Sequence, residues 1–197
     1  MSPPADPIHL FEEWLVTAGT VGLPEPSAAA LATCGADGRP SVRMVLVRGA
    51  DRDGFVFYTN LESRKGRDLG RTSAVPASLC FYWPPLARQI RIEGTASPVT
   101  GEEADAYWAT RPRASQIAAW ASPQSQVLPG GRAELDRRFA EMERRFAEGP
   151  VPRPPFWSGF RLVPDRIEFW EGRENRLHDR LLYVREDGAW TAKTLAP

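Results

Sequence analysis

Arg43 and Arg48 stand five residues apart in an otherwise apolar run, Arg43-Met44-Val45-Leu46-Val47-Arg48. Side chains alternate faces along a strand, so an odd separation sends the two guanidiniums to opposite faces unless a bulge or the strand end intervenes. The two arginines then serve two different groups, and a half-buried arginine calls for an anion. The stretch Tyr58-Thr59-Asn60-Leu61-Glu62-Ser63-Arg64-Lys65-Gly66 sets hydroxyls at a strand end and a basic pair at a helix start. Charge-assisted donors, hydroxyls and free helix amides are the mixture a phosphate ligand requires. A capping Ser63 followed by two solvated cations is the alternative reading. The segment from Tyr107 to Gln116 again mixes hydroxyls with Arg111 and Arg113, as a second anion site or as a charged helix end. Between Glu168 and Arg180, aromatic residues precede the alternation Arg176-x-His178-x-Arg180. On a strand these three side chains share one face, a costly row unless it meets an anion or an electron-rich ring.

The elements that must position these groups are mostly short strands. Asp6 caps a helix with Pro7 at its first position, and Ile8, Phe11, Trp14, Leu15 and Ala18 recur on one face, so a helix is expected over 6–20. Strands are expected at Ala28–Cys34, Ser41–Val47, Phe55–Tyr58, Ala77–Trp83, Gln89–Ala96, Gly159–Val163, Arg166–Trp170, Leu181–Arg185 and Trp190–Lys193, with Asp-Gly turn signals at 37–38, 53–54 and 187–188. Two helical insertions lie between them, Glu102–Thr110 and Arg132–Ala147, within the stretch 102–147. The second carries Leu135, Phe139, Met142 and Phe146 as one stripe against a charged face. Many strands, peripheral helices and no β-α-β alternation predict a mainly β fold, an antiparallel barrel with helices at its edge.

Composition narrows the function classes. The chain has 197 residues with 25 Lys+Arg against 25 Asp+Glu, a formal net charge of zero. A chain of this length forms one core-bearing domain by default, here residues 1–197. Zero net charge gives no reason to expect nucleic acid or an anionic membrane as partner. No apolar run approaches the roughly 20 residues of a membrane span, and the opening Met1-Ser-Pro-Pro-Ala-Asp lacks signal-peptide character, so a cytoplasmic location is expected. Cys34 and Cys80 sit in apolar runs and read as small buried hydrophobes. Two histidines, His9 and His178, are too few for a histidine-rich metal site, so no metal is assigned. No G-x-G-x-x-G, P-loop, HExxH or G-x-S-x-G motif is present.

The segments RMVLV, FYTNLESRKG, RQIRIEG, RPRASQIAAWASPQS, IEFWEGRENRLHDR and the terminal LAP occur in this order from Arg43 to Pro197. Together they resemble the pyridoxamine 5'-phosphate oxidase family, and the similarity runs from about Asp6 to Pro197, with RLHDR after EFW-x-G as a specific signature. The resemblance implies an FMN-binding split β-barrel, a homodimer with FMN at each interface. It also implies oxidation of pyridoxamine or pyridoxine 5'-phosphate to pyridoxal 5'-phosphate, with O2 as acceptor and H2O2 as by-product. By the same resemblance Arg43, Arg64 and Lys65, with Tyr58 and Thr59, hold the FMN phosphate and ribityl chain, and the backbone of Met44, Val45 and Leu46 lies along the flavin. Gln89, Gln124, Ser125, Trp170 and Arg180 match further flavin contacts, several of them from the partner subunit. Arg48, Tyr107, Arg111 and Ser115 match the substrate-phosphate site, and Arg176 and His178 the residues over the substrate ring, where catalysis is expected.

Two features depart from the family pattern. Arg48 stands where a lysine is common, and a planar fork is bulkier than an ammonium. Many members also carry a basic, Tyr-containing arm before the first helix, whereas here Met1 lies five residues before the cap. These departures keep two other readings in view: an FMN oxidase of another reduced ring such as a phenazine precursor, and a non-catalytic binder of FMN or pyridoxal phosphate.

Overall fold

Asp6 accepts a hydrogen bond from the Ile8 amide and opens helix α1 (Pro7–Thr20), with Pro7 at the position where a missing N–H forfeits no bond. Ile8, Phe11 and Ala18 are buried against the core, with Trp14 and Leu15 packed half-buried beside them. The computed structural model describes residues 4–70 and 74–197.

Six strands close into an antiparallel barrel: β1 (Ala28–Cys34), β2 (Pro40–Asp51), β3 (Gly54–Asn60), β4 (Val75–Trp83), β5 (Arg88–Pro98) and β6 (Trp157–Glu171). Their order is β3-β2-β1-β4-β5-β6, and β6 pairs back onto β3. Two further strands, β7 (Asp179–Glu186) and β8 (Ala189–Thr194), extend the sheet from β6. Helix α2 (Arg64–Leu69) follows β3, and α3 (Gly101–Thr110), α4 (Arg113–Ala121) and α5 (Gly131–Arg145) fill the connection from β5 to β6. This is the mainly β barrel with peripheral helices that the sequence predicts. Leu31, Phe55, Phe57, Leu79, Phe81, Ile90, Ile92, Phe160 and Leu162 fill its interior with no exposed surface. A second apolar cluster, Trp108, Ile117, Phe146, Val151 and Trp157, sits between the helices and the barrel wall.

The structure corrects four expectations. The predicted strands at 159–163 and 166–170 are one strand, β6, carrying an irregularity at Pro164-Asp165 opposite Gly94. Proline lacks a ladder donor and is tolerated at a bulge. Gly94 admits the bulge because a Cβ there would lie 2.1 Å from the Val163 carbonyl oxygen. The bulge also divides the work of β6: residues 157–162 pair with β3 and residues 166–171 with β7. Second, a helix not expected as such, α4, begins just after Pro112 with only Ile117 and Ala121 fully buried, too weak a stripe to announce itself. Third, the cysteines are not buried: Cys34 is exposed and Cys80 half-exposed. Both share the outer parity of their strands, opposite to Leu31 and Leu79. Fourth, Arg176, His178 and Arg180 do not form a row on a strand. Arg176 lies in a single turn at Glu174–Arg176, Asn175 and Arg176 have φ of 56° and 61°, and β7 starts only at Asp179. Arg173 closes the neck of that loop by pairing with Asp179 at 2.6 Å and Glu171 at 3.2 Å.

Candidate functional site

A cavity of about 590 Å³ opens where β2 and β3 meet the helical layer. β2 contributes Leu46 and Arg48, β3 contributes Tyr58, Thr59 and Asn60, α3 contributes Tyr107, and β6 contributes Trp157. Arg111 and Ser115 line it from the α3–α4 junction, and Gln124 from the loop beyond α4. No acidic residue lines it among the described residues. Two guanidiniums in a concave wall without a carboxylate make a site for an anion.

Local structure explains how these cations arrive there. The β2–β3 register shifts between Val47 and Gly49, leaving Arg48 as the extra residue of a bulge. Between Arg43 and Val47 the alternation is regular, so Arg43 shares the inward parity of Val45 and Val47 while Arg48 turns to the cavity. The two arginines thus lie on opposite faces, as their odd separation predicts, Arg43 near Asp68 and Arg48 at the cavity. Arg111 caps α3, its amide donating to the Trp108 carbonyl, and Pro112 prevents the helix from continuing. No side chain caps the start of α4, so Arg111 and Ser115 flank a helix end with free amides. The Arg111 guanidinium lies 4.7 Å from the Trp157 ring centre and 5.1 Å from that of Trp108. Its Nη1 is buried without a hydrogen-bond partner, alone in this among the described side-chain atoms. Burial lowers its pKa.

Beside the cavity lies a second set of cations. Lys65 is 8% exposed, and its Nζ donates to Gln124 Oε1 at 3.0 Å, Thr59 Oγ1 at 3.1 Å and Ser63 Oγ at 3.4 Å, all neutral oxygens. Burial first, then the charge of Arg43, pushes its pKa below the ordinary lysine value. Arg43 donates to Thr33 Oγ1 at 2.7 Å, Ser41 Oγ at 2.6 Å and the Leu31 carbonyl at 3.2 Å, with Asp68 at 3.7 Å. Its pKa is lowered by burial, raised by Asp68 and lowered again by Arg64. Three mutually repelling cations with one carboxylate between them leave a net positive charge that a phosphate dianion would satisfy. The residues present therefore fit the phosphate of a nucleotide-like cofactor.

A third set lies elsewhere on the sheet. Gln89, Trp170 and Arg180 are cross-strand neighbours on β5, β6 and β7. Arg180 donates to Glu168 at 2.8 Å and to the Ala196 carbonyl at 2.9 Å, and Glu168 also faces Arg91 at 3.4 Å. His178 packs 4.7 Å from the Trp170 ring and accepts the Arg173 amide at Nδ1, which leaves the proton of a neutral ring on Nε2. Arg176 is exposed. Met44 is exposed and Val45 buried, while Ser125 is exposed with φ of 69°. Within one chain, then, Arg48, Tyr58, Thr59, Tyr107, Arg111, Ser115, Gln124 and Leu46 share a cavity, Arg43, Arg64 and Lys65 converge beside it, and Gln89, Trp170, Arg176, His178 and Arg180 do not line it. Sequence reasoning does not single out Trp157, Trp108 or Asp68; no charge or spacing signal marks the two tryptophans, and the contact of Asp68 with Arg43 joins residues far apart in the chain.

Comparison with known proteins follows the same lines. A family model described as pyridoxamine 5'-phosphate oxidase matches residues 20–145, and one described as the pyridoxine 5'-phosphate oxidase C-terminal dimerisation region matches residues 157–197. The chain is 57% identical over 192 residues to a pyridoxine/pyridoxamine 5'-phosphate oxidase of Rubrobacter xylanophilus, covering 98% of this chain and 87% of that one. It is 56% identical to the Rhodospirillum rubrum protein of the same name, covering 98% and 96%. Among solved structures, PhzG from Burkholderia lata 383, in complex with tetrahydrophenazine-1-carboxylic acid, is similar with a TM-score of 0.91 and 39% identity over 100% of this chain and 95% of that one. An FMN-binding protein from Nostoc punctiforme shares the fold, with a TM-score of 0.76 at 20% identity and full coverage of both chains.

Proposed function

The chain belongs to the pyridoxamine 5'-phosphate oxidase family of oxidases, and from that premise we propose that it oxidises pyridoxamine or pyridoxine 5'-phosphate to pyridoxal 5'-phosphate, using FMN and O2. The observation that carries the substrate class is the cavity with Arg48 and Arg111 in its wall, no acid among its lining residues, and Arg111 Nη1 unpartnered. Arg48, Tyr107, Arg111 and Ser115 hold the substrate phosphate there. Arg43, Arg64 and Lys65 would hold the FMN phosphate, with Tyr58 and Thr59 beside the ribityl chain, Gln124 and Ser125 among the further flavin contacts, and the backbone of Met44, Val45 and Leu46 along the flavin.

FMN, when bound, would supply the two-electron oxidation at the substrate C4' carbon and its reoxidation by O2 to H2O2, water then releasing ammonia from the imine where the substrate is the amine. The chain's own task is placement. Two phosphate clamps, one for each ligand, hold the reacting carbon and the ring in register, which removes most of the entropic part of the barrel-bound encounter. Gln89, Trp170 and Arg180 do not line the cavity and sit with the part of β6 past its bulge, beside β7, so in this reading they complete the flavin site from a second copy, as do Arg176 and His178 over the substrate ring. The outer parity of β2 and β4 exposes Val42, Met44 and Tyr82, an apolar face for that second copy to cover. His178 presents Nε2–H as a donor, and Arg180 is fixed in place by Glu168.

The likeness to PhzG favours a second reading, a reduced phenazine carboxylic acid as substrate, because a carboxylate also satisfies paired guanidiniums. The higher identity to the vitamer oxidases weighs for the phosphate. The deciding experiment adds pyridoxamine 5'-phosphate in air to the purified flavoprotein and follows H2O2 and aldehyde together. Equal yields are expected. A bound, chemically reducible flavin with neither product would overturn the vitamer reading, and turnover of tetrahydrophenazine-1-carboxylic acid would then establish the second. Flavin bound without turnover of either would point to a binder.

A further inference from the structure

Among the described residues, the half-buried arginines other than Arg111 have acids for partners. Arg43 faces Asp68, Arg88 faces Glu171, Arg153 faces Asp105, Arg161 faces Asp51 and Glu103, and Arg180 faces Glu168. Arg111 is the exception in the cavity wall: its guanidinium rests on the faces of Trp157 and Trp108, and its Nη1 has no hydrogen-bond partner. We propose that Trp157 and Trp108 are positioning residues that orient Arg111 without neutralising it, and so keep its charge and in-plane N–H groups available to the substrate phosphate. The inference rests on the reading of the cavity as the substrate-phosphate site.

The physical reason lies in what each kind of partner occupies. A carboxylate takes the in-plane N–H edge of a guanidinium and cancels its charge. An aromatic ring attracts the cation through its π face and leaves the in-plane N–H groups free to fork onto an anion. The slot is itself braced. Trp108 donates its Nε1–H to the Val151 carbonyl at 2.8 Å, and its own carbonyl accepts from Gln116 Nε2 at 2.9 Å. Trp157 packs edge-on to Trp108 at 4.8 Å and lies parallel to Tyr58, with 4° between the planes. Tyr58 in turn stacks on Tyr107 at 3.9 Å. That stack needs Gly159, where a Cβ would come within 2.7 Å of the Tyr58 ring.

The test measures inorganic phosphate binding to the holoprotein by calorimetry, beside KM and kcat for pyridoxamine 5'-phosphate. Trp157→Leu is expected to weaken phosphate binding and raise KM by about tenfold, the scale of one desolvated cation–π contact, with kcat and the flavin spectrum little changed. A fluorinated tryptophan at position 157 drains the ring face at nearly constant shape, so it decides the matter if the leucine variant fails to fold. Phosphate affinity should fall stepwise with fluorine count. Unchanged phosphate affinity in the fluorinated protein, while Arg111→Ala abolishes binding, would overturn the positioning role alone. If Arg111→Ala leaves phosphate affinity intact, the phosphate-site reading itself fails.

Discussion

Lys65 has neutral partners only and an arginine nearby, so burial leaves it poised for a ligand dianion rather than for a protein acid. Lys65→Met is expected to weaken FMN binding by roughly 1.5–3 kcal/mol, the worth of a charge-assisted hydrogen bond, as read by flavin fluorescence titration of the apoprotein. The same residue sets a pH dependence. Its free-protein pKa lies below the usual 10.5, and a bound phosphate favours the charged form. FMN affinity is therefore full below that depressed pKa and declines as pH rises past it, at lower pH than a surface lysine would give. In Lys65→Met this component of the alkaline decline should vanish; an identical pH profile in variant and parent would remove Lys65 from the phosphate site. At the substrate ring, replacing both Arg176 and His178 with alanine is expected to cut turnover while leaving bound flavin intact. Normal kinetics in that double variant would exclude them from the active site.

The elements matter through their irregularities. Two bulges mark the strands that carry the site: one falls at Arg48, and the other lets β6 serve both β3 and β7. Gly94 is the hinge of the second, and a methyl group there would meet the backbone of Val163 and Pro164. Gly94→Ala should cost about 3 kcal/mol, a large effect for one methyl, and lower Tm by roughly 10 °C at fixed protein and flavin concentration. A Tm within 2 °C or so of the parent would show that the bulge relaxes freely. The nine expected strands became eight for this reason: Val163-Pro164-Asp165 carries a turn signature, and only the missing Cβ across the sheet lets the chain run on. The failed Arg-His-Arg row has a similar cause, because Arg173 pins a loop where alternation alone suggested a strand.

At the scale of the whole molecule, the proposed function divides the site between two places on one barrel. The cavity and its neighbouring cations lie by β2, β3 and α4, while Gln89, Trp170 and Arg180 lie on β5, β6 and β7. A second copy packed on the exposed face of Val42, Met44 and Tyr82 would bring the halves of two chains together. Met44→Asp is expected to shift the protein toward monomer in light scattering and to lose flavin in parallel. A monomeric variant with full flavin occupancy would contradict the shared site.

The sequence by itself determined the strand periodicity, the α1 cap, the barrel class and the clustering of cations along β2, β3 and α2, because these depend on local pattern and residue type. It also carried the motifs by which the family is recognised. Tertiary structure alone decided that Arg111 lies between two tryptophans with no acid, that Asp68 comes to Arg43, and that Cys34 faces outward. Those contacts join residues distant in the chain, and their partners are set by sheet register and by where a missing Cβ admits a bulge.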